Sequence, residues 1–218
     1  MVLFAGACDR KEEINVRIAV YVYSHGEELI FSETYKVSYR FRAAMFRSFD
    51  GAQIRPKAFG EAVAIQVGDN TLFASYLSTG TTPGAPLAGA HRSLFDAARK
   101  DEGFAAWIPV ARTLTTETSV PRKDWPVFIG FKDPNDTTTA YRIEAGDIPF
   151  ATIRRVTVQA TSQTPDMGDV ARMLPWIETI PGGSICPEEW DKRRHRPLDK
   201  IPCQHIPKSH LIEPYNAE

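Results

Sequence analysis

Cys8 is the residue whose neighbours point most directly to a chemical modification. The short apolar start Met1–Phe4 leads into the small residues Ala5–Ala7, and Cys8 follows at once. An apolar stretch, small residues and a cysteine are typical of a bacterial lipoprotein signal, where small residues fit a peptidase cleft and the thiol accepts a lipid. This pattern predicts a mature chain that begins at Cys8 and is attached to a membrane outside the cytosol.

The residues before Cys8 leave two interpretations open. A secretory signal has a basic start and an apolar core of about 7–15 residues, whereas only seven residues precede Cys8 and none of them is basic. Either the signal begins upstream of Met1, or Cys8 is an incidental cysteine near a loosely constrained terminus. The charged run Asp9–Glu13 suits a solvated tether in the first case and a disordered terminus in the second.

The other two cysteines, Cys186 and Cys203, are predicted to form a disulfide. If Cys8 carries a lipid, two cysteines remain and can pair with each other. A bond between them would enclose residues 187–202. Closing a loop of that length stabilises a fold by about 3 kcal/mol in the chain-entropy model. The enclosed segment is rich in charge and proline, so a covalent staple would replace the packing that it lacks. The alternative is a pair of reduced thiols in a cytosolic protein.

Zinc binding is an alternative chemistry for the same part of the chain. Cysteine and histidine are ligands that zinc prefers, and they occur here at Cys186, His195, Cys203, His205 and His210. Structural zinc sites take their ligands from tight knuckles, but the sequence contains no Cys-x-x-Cys pair. We therefore favour a disulfide with solvated histidines, and we assign neither metal ligands nor a cofactor.

Catalytic chemistry has only weak candidates. His91, Ser93 and Asp96 are the residue types of a hydrolytic triad, but they lie within six residues of one another, whereas triads are assembled from separate elements. Ser93 is more simply explained as the cap of a short helix. Gly182 and Gly183 precede Ser184 without the trailing glycine of a nucleophile elbow. No catalytic residue is assigned, and a small hydrolase with its site under the Ser78–Ala90 loop, tested through His91, stays an alternative.

Composition limits the partners. The chain has 218 residues, 43% of them hydrophobic, which is enough for a core, and its net charge of −1 gives no field that attracts nucleic acid. No apolar run approaches the roughly 18 residues of a membrane span, so attachment to a membrane would be through lipid. The basic run Lys192–Arg196 lies among acidic residues that largely cancel its charge. The predicted partners are a membrane, through the anchor, and an envelope protein, with no nucleic acid.

The elements that would position these residues are mostly strands. Apolar residues alternate with polar ones from Ile14 to Val22 and from Leu29 to Phe41, which predicts an antiparallel hairpin that turns at His25 and Gly26. The remaining predicted strands are 59–67, 72–77, 106–112, 127–132, 138–143 and 152–161. Short helices are predicted over Ser93–Lys100 and within Met167–Ile177.

This order of elements predicts a mainly β fold. We expect an antiparallel β-sandwich or open barrel with one or two short helices and an extended C-terminal arm. The predicted divisions are residues 1–13 as signal remnant and tether, 14–180 as the β-rich domain, and 181–218 as a proline-rich arm.

Several stretches resemble an uncharacterised family of predicted alphaproteobacterial lipoproteins. They are Gly60–Ile65 with Gly68 and Leu72–Ala74, Phe131–Asp133 with Asp136 and Asp147–Ile148, and Leu174–Ile177. The resemblance extends from about Ile14 to Ile177 and implies a β-rich fold and a cell-envelope location, without assigning an activity or site residues. The sequence therefore predicts an envelope lipoprotein, on the periplasmic side of a membrane, with a binding or structural role.

Overall fold

The structure, a computed structural model, describes residues 10–41, 54–78, 90–98, 104–180, 185, 206 and 208–213. The strands in these ranges are β1 Arg10–Ser24, β2 Glu27–Phe41, β3 Ile54–Glu61, β4 Val63–Val67, β5 Asn70–Ser78, β6 Thr118–Ser119, β7 Pro126–Phe131, β8 Ala140–Ile143, β9 Thr152–Ala160 and β10 Ile212–Glu213. The helices are α1 Arg92–Ala98, α2 Phe104–Ala111 and α3 Asp169–Met173, with 3-10 turns at 122–124, 137–139, 175–178 and 208–210.

The strands form two antiparallel sheets. The first has the order β10-β3-β2-β1-β9-β6 and the second has the order β4-β5-β7-β8. The sheets pack face to face, so the predicted mainly β, antiparallel sandwich is confirmed. Its centre is the predicted hairpin of β1 and β2, where Ile14 pairs with Val37 and Val22 pairs with Leu29. His25 (φ 51°) and Gly26 (φ 90°) make the turn with the positive φ angles that a tight hairpin needs.

The predicted strand over 59–67 is wrong in one respect, because it is two strands in different sheets. β3 pairs with β2 in the first sheet, whereas β4 pairs with β5 in the second. The chain crosses between the sheets at Ala62, whose N–H donates to the carbonyl of Leu211 at 2.8 Å. Gly60 and Glu61 interrupt the apolar pattern just before this corner, but an isolated glycine also fits a bulge within a single strand, so the pattern does not distinguish one strand from two.

The second sheet is buried on both faces. Its inner face shares the main core with the first sheet through residues such as Leu72 and Phe128. Its outer face carries Phe73 and Ile129, which belong to a second core closed by Leu174 and residues from the end of the chain. All six residues of β7 are consequently buried, which explains why this strand is an apolar run without alternation.

The helices correct two further predictions. Residues 106–112, predicted as a strand, form most of α2, where Ile108 and Ala111 are buried three positions apart while Pro109 is exposed. A run of eight mostly apolar residues fits a buried strand and a buried helix equally well. The helix predicted from Ser93 is α1, but it begins at Arg92, so Ser93 lies inside its first turn and is not its cap.

Both ends of the described chain join the sandwich. Arg10–Glu13, which the sequence assigned to the tether, are paired with Ser38–Phe41 in the hairpin. In the predicted arm, Ile212 pairs with Glu61 as an edge strand, and Ile185, Ile206 and Leu211 pack in the second core. The proposed division into three segments otherwise stays a prediction.

Candidate ligand-binding cleft

The predicted cysteine chemistry falls outside the described residues. The structure does not describe Cys8, Cys186 or Cys203. It also does not describe His195, His205, most of the Ser78–Ala90 loop or the side chain of His210. One described contact bears on the cysteines, since Ile185 N–H donates to the carbonyl of Ile206 at 3.0 Å. The two described residues that flank segment 186–205, in which Cys186 and Cys203 occur, are therefore hydrogen-bonded to each other. In the described part of the chain, no group of three metal-ligating side chains is arranged around a common point.

His91, Ser93 and Asp96 are not arranged as a triad. His91 is only 3% exposed and packs against the ring edges of Tyr35 and Phe95, with centroid distances of 6.2 and 6.1 Å. Neither of its ring nitrogens has a hydrogen-bond partner, and burial lowers the pKa of His91 to about 4. Asp96 is exposed and pairs with Arg92 at 3.6 Å. His91 is thus a neutral core residue in the described structure.

Among the residues that the structure describes, a candidate binding site is a cleft at one end of the main core, hereafter the intersheet cleft. It has a volume of about 270 Å³ and lies between β7 and β8 of the second sheet and β9 of the first. Trp125 precedes β7, and the connection from β8 to β9 covers the opposite side. The lining residues are Arg122, Trp125, Pro126, Phe128, Ile143, Glu144, Ala145, Gly146, Ile148, Ala151, Thr152 and Ile153.

The aromatic wall of the intersheet cleft is fixed in position. Trp125 is 7% exposed, and its indole N–H donates to the carbonyl of Val120 at 2.8 Å. The guanidinium carbon of Arg122 lies 5.3 Å from the centre of the Trp125 ring, a cation–π contact that holds the positive group beside the ring. Phe128 is 2% exposed and completes the wall. A rigid apolar wall of this kind binds ligands with little ordering cost.

Two of the lining residues that the structure describes are charged. Arg122 and Glu144 are both exposed, so they lie at the rim of the cleft, above the apolar floor. They form no ion pair with each other among the described residues. Sites for small molecules combine mainly apolar walls with a few polar groups that set orientation. Most of the lining residues of the intersheet cleft are apolar, although polar atoms form the larger share of its accessible surface.

Comparison with protein-family models, with curated proteins and with solved structures finds no match to this chain. The function is therefore inferred from the geometry of the molecule. None of the helices that the structure describes has the length and apolar character needed to cross a membrane.

A second, larger cavity of about 500 Å³ is lined by polar side chains alone. Its lining is Arg17, Ser32, Glu33, Thr34, Gln163, Thr164 and Asp166. Burial raises the pKa of Glu33, and the nearby carboxylates Asp169, Glu61 and Asp166 raise it further. The lack of apolar wall makes this cavity a weaker candidate, because a ligand there would gain little from leaving water.

Glu61 is a buried carboxylate beside this second cavity with a structural role. It is 1% exposed, and its two oxygens accept hydrogen bonds from the backbone N–H groups of Gly168 at 2.8 Å and Val170 at 3.0 Å. These bonds attach the start of α3 to the end of β3. Both oxygens of the Glu61 carboxylate are therefore already used in hydrogen bonds within the protein.

Sequence reasoning did not single out Arg122, Trp125 or Glu144. Each is an ordinary residue in its local segment, and the cleft exists only because β7 and β9 approach each other from different sheets. One signal was available, because Trp125 and Pro126 follow the charged run Arg122–Asp124 immediately before an apolar strand. A tryptophan at such a boundary often contacts water on one side and apolar residues on the other.

Proposed function

We propose that this protein is a binding protein of the bacterial cell envelope that holds a small apolar ligand in the intersheet cleft. The observation that carries the proposal is the cleft itself, whose wall of Trp125 and Phe128 is buried and fixed. A lipid on Cys8 would attach the sandwich to a membrane, and the cleft would serve a ligand on that side. The lipid and the location are inferred from the sequence pattern and from the resemblance alone.

Binding is favoured over catalysis by the chemistry of the lining. Nucleophilic catalysis needs a nucleophile and a base within hydrogen-bond reach of each other. Thr152 and Glu144 are the residues of these types among the described lining, and no hydrogen bond joins them. His91, the residue on which the hydrolase alternative depends, is buried between aromatic rings rather than presented to a cavity.

The first test of this proposal is ligand binding in the cleft. Indole is a small neutral aromatic probe, and we expect it to shift the NMR amide resonances of residues 122–128 and 143–153. Replacing Ala151 with Phe should fill the cleft and weaken indole binding by at least about tenfold, because the added ring takes the ligand's space.

The control for this variant is Ala97→Phe, which adds the same side chain at an exposed position on α1. It should leave indole binding unchanged. Thermal unfolding of both variants would show that they remain folded. Indole shifts that are absent, or that persist unchanged in Ala151→Phe, would contradict binding in the intersheet cleft.

The second test concerns the cysteines. In protein made in a bacterial host from the gene with its upstream region, mass spectrometry should find a chain that begins at an acylated Cys8. Peptide mapping should find Cys186 linked to Cys203, a bond supported by the hydrogen bond between Ile185 and Ile206, the described residues that flank their segment.

The matched variants are Cys8→Ser, which should lose the lipid, and Cys203→Ser, which should leave Cys186 free to react with a thiol reagent. An unprocessed chain from Met1 with three reactive thiols would refute the envelope assignment. Bound zinc in such a sample would favour the alternative use of the C-terminal cysteines and histidines.

A further inference from the structure

The charges at the rim of the intersheet cleft restrict its ligand further. Of the described lining residues, Arg122 is the one cation and Glu144 the one anion, and they approach from different segments of the chain. The floor beneath them is apolar and includes Phe128, Ile148 and Ile153. The cleft therefore offers one positive group, one negative group and one apolar surface.

Each simpler ligand would satisfy only part of this arrangement. An apolar anion would find a partner in Arg122 but would be repelled by Glu144, and an apolar cation would meet the reverse situation. A neutral apolar molecule would use the floor and gain nothing from either rim charge, both of which stay solvated. A zwitterion with an apolar side chain complements all three features at once.

The position of Arg122 suits a carboxylate. Because the guanidinium lies beside the Trp125 ring at 5.3 Å, its orientation is partly fixed before a ligand arrives. A planar guanidinium can then donate two parallel hydrogen bonds to one carboxylate. Glu144 is a carboxylate that accepts hydrogen bonds from an ammonium group.

We infer that the ligand is a free α-amino acid with an apolar side chain, and this inference rests on the proposed binding function. Arg122 binds the carboxylate, Glu144 binds the ammonium group, and Trp125 and Phe128 bind the side chain. The volume supports a ligand of this size, since about 270 Å³ is just below the roughly 300–1,000 Å³ of drug-sized ligand pockets. A lipid or a peptide would need more space.

The experiment compares three ligands of nearly equal shape by calorimetric or NMR titration of the full chain. They are L-phenylalanine, 3-phenylpropionate, which lacks the ammonium group, and phenethylamine, which lacks the carboxylate. We expect phenylalanine to bind about fivefold or more tighter than either of the others, because it makes one more charge-assisted contact than each of them.

Two variants test which rim charge contacts which charged group of the ligand. Arg122→Gln should remove the advantage of phenylalanine over phenethylamine, and Glu144→Gln should remove its advantage over phenylpropionate. The matched controls are Lys123→Gln and Asp147→Asn, which remove exposed charges of the same sign next to the cleft but outside its lining. These controls should preserve the preference for phenylalanine.

The outcomes separate this inference from the function on which it rests. If indole binds but phenylalanine binds no tighter than phenylpropionate or phenethylamine, the amino-acid assignment is overturned while the apolar cleft stands. If the lysine and aspartate controls abolish the preference as strongly as the lining variants, the specific roles of Arg122 and Glu144 are also overturned. If no ligand, indole included, binds in the cleft, the proposed function fails together with the inference.

Discussion

Replacing Gly60 with alanine is expected to lower the free energy of unfolding by about 3 kcal/mol. Gly60 has a φ of +147°, a backbone conformation that residues with a Cβ rarely adopt. An added Cβ would lie 2.7 Å from the Cβ of Tyr35 and 3.0 Å from its Cα. Tyr35 is fully buried in β2, so neither the tyrosine nor the strand can move aside without disturbing the core.

The measurement is equilibrium unfolding in denaturant, with Gly26→Ala as the control. Gly26 also has a positive φ, of +90°, but nothing lies within 4 Å of an added Cβ. Its replacement should therefore cost only the backbone strain, about 1–2 kcal/mol. Equal losses in the two variants would mean that the close contact of Gly60 with Tyr35 contributes nothing to stability.

Acid is expected to destabilise the protein through His91. Burial lowers the pKa of this histidine from 6.5 to about 4, so the folded protein favours the neutral imidazole while the unfolded chain binds a proton more readily. The stability that this provides is complete above pH 6.5 and is lost as the pH falls toward 4. A shift of this size corresponds to about 3 kcal/mol between the two ends of that window.

The test compares unfolding at a series of pH values for the native protein and for His91→Leu. The variant should lose less stability between about pH 6.5 and pH 4, because leucine cannot be protonated. It should be nearly neutral or stabilising at pH 7, since the native ring nitrogens have no hydrogen-bond partner. The comparison also cancels the contribution of Glu33, whose raised pKa affects both proteins equally.

His25→Asn is the matched control for this second prediction. His25 is exposed in the hairpin turn, and asparagine tolerates its positive φ of 51°. The control should retain the full acid sensitivity of the native protein. If His91→Leu also retains it, then His91 is not the group whose protonation weakens the fold.

Local patterns in the sequence were sufficient where one face of a strand meets solvent. The alternation in β1 and β2 predicted both strands, their pairing and their turn. In a half-buried strand, apolar residues on the buried face alternate with polar residues on the exposed face. Local patterns failed at α2 and at the corner between β3 and β4. For α2, a run of eight mostly apolar residues has no period that separates helix from strand. At the corner of Ala62, the preceding Gly60 also fits a bulge within a single strand.

The candidate site was less predictable than the fold for a related reason. The sequence predicted a lipid on Cys8 and a disulfide between Cys186 and Cys203, and all three cysteines lie outside the described residues. The intersheet cleft instead depends on Arg122, Trp125 and Glu144, whose types are unremarkable in isolation. Their proximity follows from sheet order, in which β9 pairs with β1 across more than a hundred residues of chain, and no local pattern encodes that pairing.

The position of β10 has a consequence for how the protein is made. Ile212 and Glu213 cover the edge of β3, and Ile206 and Leu211 close the second core. These residues leave the ribosome well after β2 and β3, so the nascent chain carries an unpaired strand edge and uncovered apolar side chains until they emerge. Exposed edges and apolar surfaces recruit chaperones or aggregate. Folding of this sandwich is therefore completed only after residues 206–213 have been synthesised, and the yield of folded protein should depend on how the unfinished edge is shielded until then.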